Sequence, residues 1–137
     1  MERFDVVVLG TGTAGENLAQ PLAKAGKRVA VVEANRVGGE CPFFACMPSK
    51  AMLRSAQVRS LIRRAPELGA VSRAVALDDG PAAYTAAVRR RQGIVGNDDS
   101  GTVRALEEAG VTVVRGRGTI VRPGVVAVGD RELGWID

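Results

Sequence analysis

The sequence predicts an α/β fold with a Rossmann-like βαβ unit, a parallel sheet and a small antiparallel meander. Three observations support this prediction. Short apolar runs alternate with a helical pattern in the first 33 residues, glycine is abundant at 17 residues, and aromatic residues make up only 4% of the chain. A hydrophobic content of 46% over 137 residues is enough for the core of one ordinary domain.

The βαβ unit is predicted from three consecutive segments. Residues 4–9 (FDVVVL) and 28–33 (RVAVVE) are short, β-branched apolar runs, typical of buried parallel strands. Residues 16–25 between them have helical periodicity, and Gly26 is a candidate for the helix C-cap. Pro21 argues mildly against a regular helix, since it removes one hydrogen bond.

The rest of the chain alternates helices with short strands. Helices are predicted at residues 51–64, 82–95 and 102–109, with loop-like segments at 66–80 and 97–101. Short strands are predicted at residues 111–115, 118–121 and 125–128, with turns at 116 and 123–124. Short strands joined in this way predict an antiparallel meander.

The charge and composition argue against nucleic-acid and membrane partners. The formal net charge is +4, but no stripe of Lys and Arg is interleaved with aromatic residues. No run approaches the roughly 18–20 apolar residues of a membrane span, and the N-terminal run lacks the features of a signal peptide. We therefore expect a cytoplasmic protein, in which two cysteines are more readily catalytic or redox-active than structural.

Residues 10–15 (GTGTAG) match a dinucleotide-binding turn. Gly10 allows the tight turn out of the strand, Gly12 lets the backbone approach a pyrophosphate, and Gly15 lets the helix pack on the strand. Thr13 and Ala14 lie where the following helix aims unpaired N–H groups and its positive dipole end at the phosphates. A glycine turn with a purely structural role is the weaker alternative, because a strand precedes it and a helix follows.

Glu33 ends the second predicted strand, 18 residues after Gly15. A carboxylate at that position can accept hydrogen bonds from both ribose hydroxyls and would repel a 2′-phosphate. These residues together predict dinucleotide binding, but they do not separate NAD from FAD.

Cys41 and Cys46 form a C-x4-C pair. On a regular helix such residues would be separated by about 7.5 Å of rise and about 140° of rotation, whereas a disulfide needs Cα atoms within about 7 Å. Either the cysteines do not pair or the segment is irregular, and Pro42 favours a helix starting near it. Ordinary buried thiols, half of a zinc site and a structural disulfide are the alternatives.

Ser49 and Lys50 follow the cysteine pair. Ser49 is a candidate N-cap for the next helix. Lys50 would bring an ammonium group near the dinucleotide or the thiols, and a cation beside a helix N-terminus favours thiolate. A solvated surface lysine is the alternative.

Residues 38–50 (GGECPFFACMPSK) resemble the GGxCxxxGCxPSK signature of the class I pyridine nucleotide–disulfide oxidoreductases, which include dihydrolipoamide dehydrogenase, glutathione reductase and mercuric reductase. The resemblance implies FAD as the cofactor, and a redox-active Cys41–Cys46 disulfide that receives electrons from NAD(P)H through the flavin. It implies that Cys46 lies against the flavin, that Cys41 exchanges with substrate, and that Lys50 lies near the flavin's reactive edge. The implied FAD-binding residues are Gly10, Gly12, Thr13, Ala14, Gly15, Glu33, Ala34, Gly38, Gly39, Glu40, Cys41, Cys46, Lys50 and Gly118.

The resemblance covers only part of such an enzyme. The chain has one glycine fingerprint and no histidine, so the NAD(P) domain and the interface domain with its catalytic His–Glu pair have no counterpart. We expect residues 1–137 to be the first segment of a discontinuous FAD domain, inactive alone and without its own NAD(P)H site, from an enzyme that is a homodimer at full length.

Two other functions stay open, namely an FAD-binding module without turnover and a free-standing NAD-binding domain. Glu40 and residues 42–45 depart from the common pattern beside the outer thiol, so the electron acceptor is not predicted. The combination is more similar to the mercuric-reductase-like branch than to glutathione reductase.

Overall fold

The computed structural model describes residues 1–78 and 80–135. Its elements in chain order are β1 (Glu2–Phe4), β2 (Val6–Leu9), α1 (Thr13–Lys24), β3 (Val29–Glu33), α2 (Glu40–Phe43), α3 (Cys46–Arg64), α4 (Pro81–Val95), α5 (Ser100–Glu108), β4 (Val111–Arg115), β5 (Gly118–Arg122), β6 (Val125–Val128) and β7 (Arg131–Trp135). The chain forms two compact units, Met1–Cys41 with the chain from Asn97 onward, and Pro42–Gly96. Within the described ranges, every helix is too short or too polar to reach across a bilayer.

The first unit is built on a parallel sheet in the order β2-β3-β4. β3 lies in the middle and is buried at every position, because it pairs with β2 on one side and with β4 on the other. α1 and α5 cover one face, where Ala19 and Leu106 are fully buried against Val29 and Val31. This arrangement brings the loops after all three strands to one edge of the sheet.

A second sheet packs on the other face of the parallel sheet. Its order is β1-β7-β6-β5, with β1 parallel to β7 and the other pairs antiparallel. Phe4, Val126 and Leu133 of this sheet are buried in one cluster with Ala30 and Val32 of β3. The predicted fold class, α/β with a parallel sheet and an antiparallel meander, is confirmed.

The prediction of one buried strand at residues 4–9 is wrong. The chain breaks at Asp5, so that β1 and β2 join different sheets. Asp5 supports this break, because its carboxylate accepts a hydrogen bond from the Arg28 N–H at 2.6 Å. Among the described strands β2 pairs only with β3, and as an edge strand it leaves Leu9 47% exposed.

Residues 111–115 also lie elsewhere than predicted. They form β4, which pairs parallel with β3, because the crossover through α5 returns the chain in the same direction. The meander consists instead of β5, β6 and β7, and the sequence pattern did not predict β7.

The helices begin earlier than predicted. α1 begins at Thr13 rather than at residue 16, α3 at Cys46 rather than at residue 51, and α5 at Ser100, which shortens the polar break. Ser49 is therefore not an N-cap. It lies in the first turn of α3, where its hydroxyl donates to the Ala45 carbonyl at 2.7 Å.

The second unit includes α3, α4 and the segment between them. Arg90 Nη1 donates to the Ala51 carbonyl at 2.8 Å, and Arg59 Nη1 donates to the Asp78 carbonyl at 2.6 Å. These two contacts tie α4 and the connecting segment to α3.

Candidate functional site

The turn after β2 leads into the N-terminus of α1. Gly10 has a φ of +91°, a conformation that residues with a side chain rarely adopt. Gly12 occupies the N-cap position, and its carbonyl accepts from the Glu16 N–H at 3.0 Å. No side chain among the described residues caps α1, which leaves the first-turn N–H groups, among them those of Thr13 and Ala14, for an anion.

The glycines around this turn differ in how much space surrounds them. A Cβ atom at Gly15 would overlap the Gly10 carbonyl oxygen, and one at Gly39 would lie 2.6 Å from the Gly12 Cα. A Cβ atom at Gly12 would meet no described atom within 4 Å, and the φ of −64° there suits any residue. The space beside Gly12 is therefore open, as a pyrophosphate at this backbone requires.

Glu33 lies at the end of β3, with its carboxylate bound to the glycine turn. Oε2 accepts from the Thr11 N–H at 2.8 Å and from the Thr11 hydroxyl at 2.7 Å, while Oε1 accepts from the Asn35 N–H at 2.8 Å. Burial acts to raise the pKa of Glu33, but these hydrogen bonds together hold that pKa below its usual value. Because an ionised carboxylate has about four acceptor positions, Glu33 keeps capacity for a ribose hydroxyl.

Thr11 is a site residue that the sequence analysis missed. Its side chain is fully buried, and its hydroxyl also accepts a hydrogen bond from the Gly38 N–H at 3.2 Å. Thr11 therefore links the glycine turn, Glu33 and the Gly38–Gly39 pair. The sequence contained one indication of this role, because Thr11 is a polar residue at the variable second position of the glycine fingerprint.

Asp99 and Arg115 form a second polar cluster that the sequence analysis missed. Asp99 Oδ2 accepts from the Val37 N–H at 2.8 Å and from Arg115 Nη1 at 2.7 Å, and Oδ1 accepts from Nη2 at 2.8 Å. The Arg115 guanidinium beside it is the main cause that lowers the pKa of Asp99 to about 2. The polar run at residues 97–100 was the only indication of this cluster in the sequence, and the run predicted no more than a break between helices.

The other predicted FAD-binding residues lie at several places in the first unit. Gly118 begins β5, where a Cβ atom would lie 2.6 Å from Leu9 Cδ2 and 3.1 Å from Val32 Cγ1, so glycine lets the two sheets approach. Ala34 is exposed on the loop after β3, and Glu40 is exposed at the start of α2. Their contacts with FAD stay predictions.

Cys41 and Cys46 lie in different elements, and both are partly exposed. Cys41 is in α2 at the end of the first unit, and Cys46 is the first residue of α3 in the second unit. The described residues include no side-chain cap and no acidic first-turn residue for α3, so the positive end of the helix dipole adjoins Cys46. Lys50 follows four residues later, which puts it on the same face of α3 as Cys46.

Glu33→Gln should change the pH dependence of stability. Because the pKa of Glu33 is lowered in the folded chain, its carboxylate contributes stability that is present above its ordinary pKa of 4.5 and is lost as the pH falls through the lower pKa of the folded chain. We expect the native chain to lose more unfolding free energy than the variant as the pH falls from neutral to below 4.5. At pH 7 the variant should be less stable by about 1–2 kcal/mol, since an amide replaces an ionised acceptor.

Urea unfolding at a series of pH values measures this difference. Glu107→Gln, an exposed position on α5, is the matched control and should follow the native profile. Parallel profiles for the native chain and Glu33→Gln would contradict the role of the three hydrogen bonds to this carboxylate.

The sequence was compared with models of known protein families and with known proteins. The family described as pyridine nucleotide-disulphide oxidoreductase matches residues 4–135. Dihydrolipoyl dehydrogenase from Bacillus subtilis (strain 168) is 34% identical over 122 residues, which cover 89% of this chain and 25% of the relative. Soluble pyridine nucleotide transhydrogenase from Marinomonas sp. (strain MWYL1) is 62% identical over 50 residues, which cover 36% of this chain and 11% of the relative.

A solved structure gives the same result for the fold. The Cu(II) complex of the HOCl-induced flavoprotein disulfide reductase RclA from Escherichia coli superimposes with a TM-score of 0.75 at 25% identity. The match covers 98% of this chain and 27% of RclA. The chain therefore spans about a quarter of the length of RclA and of the Bacillus subtilis relative.

Proposed function

This chain belongs to the pyridine nucleotide-disulphide oxidoreductase family, and we propose that it is the FAD-binding part of a flavin-dependent dithiol oxidoreductase. The family resemblance of residues 38–50 is confirmed by the match. The proposal depends mainly on one observation. The space beside Gly12 is open at the N-terminus of α1, and the Glu33 carboxylate lies next to it. FAD, when bound, supplies the two-electron chemistry.

The residues around this space fit a dinucleotide in separate roles. The N–H groups at the start of α1 would bind the pyrophosphate, with Gly12 giving access to the backbone. Glu33 would accept hydrogen bonds from the ribose hydroxyls of the adenosine half, and its negative charge disfavours a 2′-phosphate. The remaining proposed contacts are made by Ala34, Gly38, Gly39, Glu40, Lys50 and Gly118.

Cys41 and Cys46 are proposed to alternate between a disulfide and two thiols. The disulfide accepts two electrons and its S–S bond breaks, which leaves two thiolates, and each thiolate that takes up a proton becomes a thiol. Cys46, which begins α3 with Lys50 one turn later on the same face, would be the sulfur beside the flavin, as the family resemblance implies. Cys41 would be the outer sulfur that exchanges with the electron acceptor.

The 137-residue chain is proposed to be inactive by itself. It contains one glycine fingerprint and no histidine, so its sequence offers neither a second nucleotide site for NAD(P)H nor the family's acid–base residue. Activity would require a longer chain, which we expect to be a cytoplasmic homodimer. An FAD-binding module without turnover is the second candidate.

Titration of the chain with FAD, ADP, FMN and NAD⁺ tests the proposed function. We expect weak binding of FAD, with a Kd on the order of 10 μM or above because the site is partial, competition by ADP, and no binding of FMN. No oxidation of NADPH should follow when FAD is added in excess. A preference for NAD⁺ over FAD would favour a free-standing NAD-binding domain, and NADPH turnover would contradict the proposed inactivity.

A further inference from the structure

We propose that Asp99 is a positioning residue for the dinucleotide site, which acts through Val37 and Arg115 on the loop between β3 and Gly38. This inference rests on the proposed function, but it assigns a role to a residue far outside the glycine fingerprint. Asp99 holds the loop and the Arg115 guanidinium in place and does not itself bind the ligand.

The side chain of Asp99 is directed to the loop and away from its own helix. Asp99 stands at the N-cap position of α5, where an aspartate ordinarily accepts hydrogen bonds from the first helical turn. It makes no such bond, and its carboxylate binds Val37 and Arg115 instead. Its neighbour Asp98 binds the start of the helix, accepting from the Ser100 N–H at 2.9 Å and from the Ser100 hydroxyl at 2.8 Å.

The loop after Glu33 is held by side chains at three of its N–H groups. The pairs, donor first, are Asn35 with Glu33, Val37 with Asp99, and Gly38 with Thr11. Two of the acceptors, Glu33 and Thr11, belong to the proposed site itself. The third, Asp99, lies 62 residues after its donor Val37 in the chain. Asp99, at the N-cap of α5, therefore joins the loop at Val37 to Arg115 of β4.

Arg115 is paired with Asp99 and also interacts electrostatically with the Glu33 carboxylate. It is the register partner of Glu33 across β3 and β4, and its Nη1 also donates to the Asn35 carbonyl at 3.1 Å. Since the pKa of Asp99 is lowered to about 2, mainly by Arg115, Asp99 is an anion throughout the neutral range. Without that anion the guanidinium is drawn toward Glu33, the carboxylate proposed to accept the ribose hydroxyls. Asp99 thus keeps Glu33 available to the ligand.

Calorimetric titration of the 137-residue chain with ADP and with FAD tests this role. Asp99→Ala should weaken ADP binding about tenfold, and Asp99→Asn only about threefold, because the amide oxygen still accepts from Val37. The double variant Asp99→Ala/Arg115→Gln should recover part of the affinity, since the released guanidinium is gone. A merely structural role predicts no such recovery, because the ion pair stays broken.

Two controls separate positioning from general loss of charge. Glu132 accepts from both Nη atoms of Arg122, at 2.9 and 2.8 Å, in the second sheet, so Glu132→Gln removes a pair of similar geometry away from the loop. Asp98→Asn removes the neighbouring carboxylate. Both controls should bind ADP within about twofold of the native chain, and thermal unfolding of every variant shows whether it is folded.

The outcomes separate the two proposals. Native ADP affinity in Asp99→Ala, or no recovery in the double variant, would overturn the positioning role and leave the dinucleotide function intact. If Asp99→Ala does not fold, Asp99→Asn decides the question by the same comparison. A native chain that binds neither ADP nor FAD would overturn both the proposed function and this inference.

Discussion

Gly12→Ala should abolish most dinucleotide affinity while leaving the fold intact. A methyl group at this position meets no described atom within 4 Å, and the backbone φ of −64° is one that alanine adopts without strain. The same methyl would occupy the space in which a pyrophosphate approaches the N-terminus of α1. We expect the Kd for ADP and FAD to rise about 100-fold, which corresponds to about 3 kcal/mol. The unfolding free energy should change by less than about 1 kcal/mol.

Gly15→Ala is the matched comparison, because the same methyl group there should act on the fold. A Cβ atom at Gly15 would overlap the Gly10 carbonyl oxygen and lie 3.2 Å from Val8 Cγ1, so α1 must move away from β2. A loss of about 2–4 kcal/mol in unfolding free energy is the expected result. Urea unfolding and ADP titration of both variants measure the contrast. Equal destabilisation by the two substitutions would assign Gly12 to the fold and remove the observation on which the proposed function depends.

The glycine turn and Glu33 could be located from the sequence because their geometry depends on residues close in the chain. Gly10, Gly12 and Gly15 lie within one strand–turn–helix, and Glu33 ends the strand that follows. Asp99 could not be assigned in this way, since its partner Val37 lies 62 residues away and their contact depends on how α5 packs on the sheet. Its sequence neighbours predict a helix start, and in the structure Asp98 serves that purpose.

The position of each strand in its sheet could not be predicted for a similar reason. Residues 4–9 have the composition of a buried strand, but burial depends on having neighbours on both sides. β3 has two such neighbours, whereas the described residues give β2 only one, and Leu9 is exposed as a result. Likewise β4 and β5 have similar sequences, and only the crossover through α5 assigns β4 to the parallel sheet.

Oxidation of the 137-residue chain should join Cys41 and Cys46 within one molecule. They are the chain's two cysteines and lie five positions apart, so a mild oxidant such as diamide should remove both thiols without forming dimers. Cys41→Ser and Cys46→Ser each keep one thiol, which can pair only with a second molecule. Thiol titration and non-reducing electrophoresis measure both results, with Ser49→Ala as a control that should behave as the native chain. Intermolecular dimers of the native chain would contradict a paired redox function.

The two serine variants should then differ in a longer chain that includes the family's NAD(P) and interface domains. Cys46 begins α3, with Lys50 one turn later on the same face, and we propose Cys46 rather than Cys41 as the sulfur beside the flavin. After two-electron reduction we expect a long-wavelength charge-transfer absorption that disappears in Cys46→Ser and persists in Cys41→Ser. Reduction of a disulfide acceptor should fall by about 1000-fold or more in both, because exchange needs both sulfurs. An absorption that survives in Cys46→Ser and disappears in Cys41→Ser would reverse the two roles, and a colourless protein would exclude the redox function.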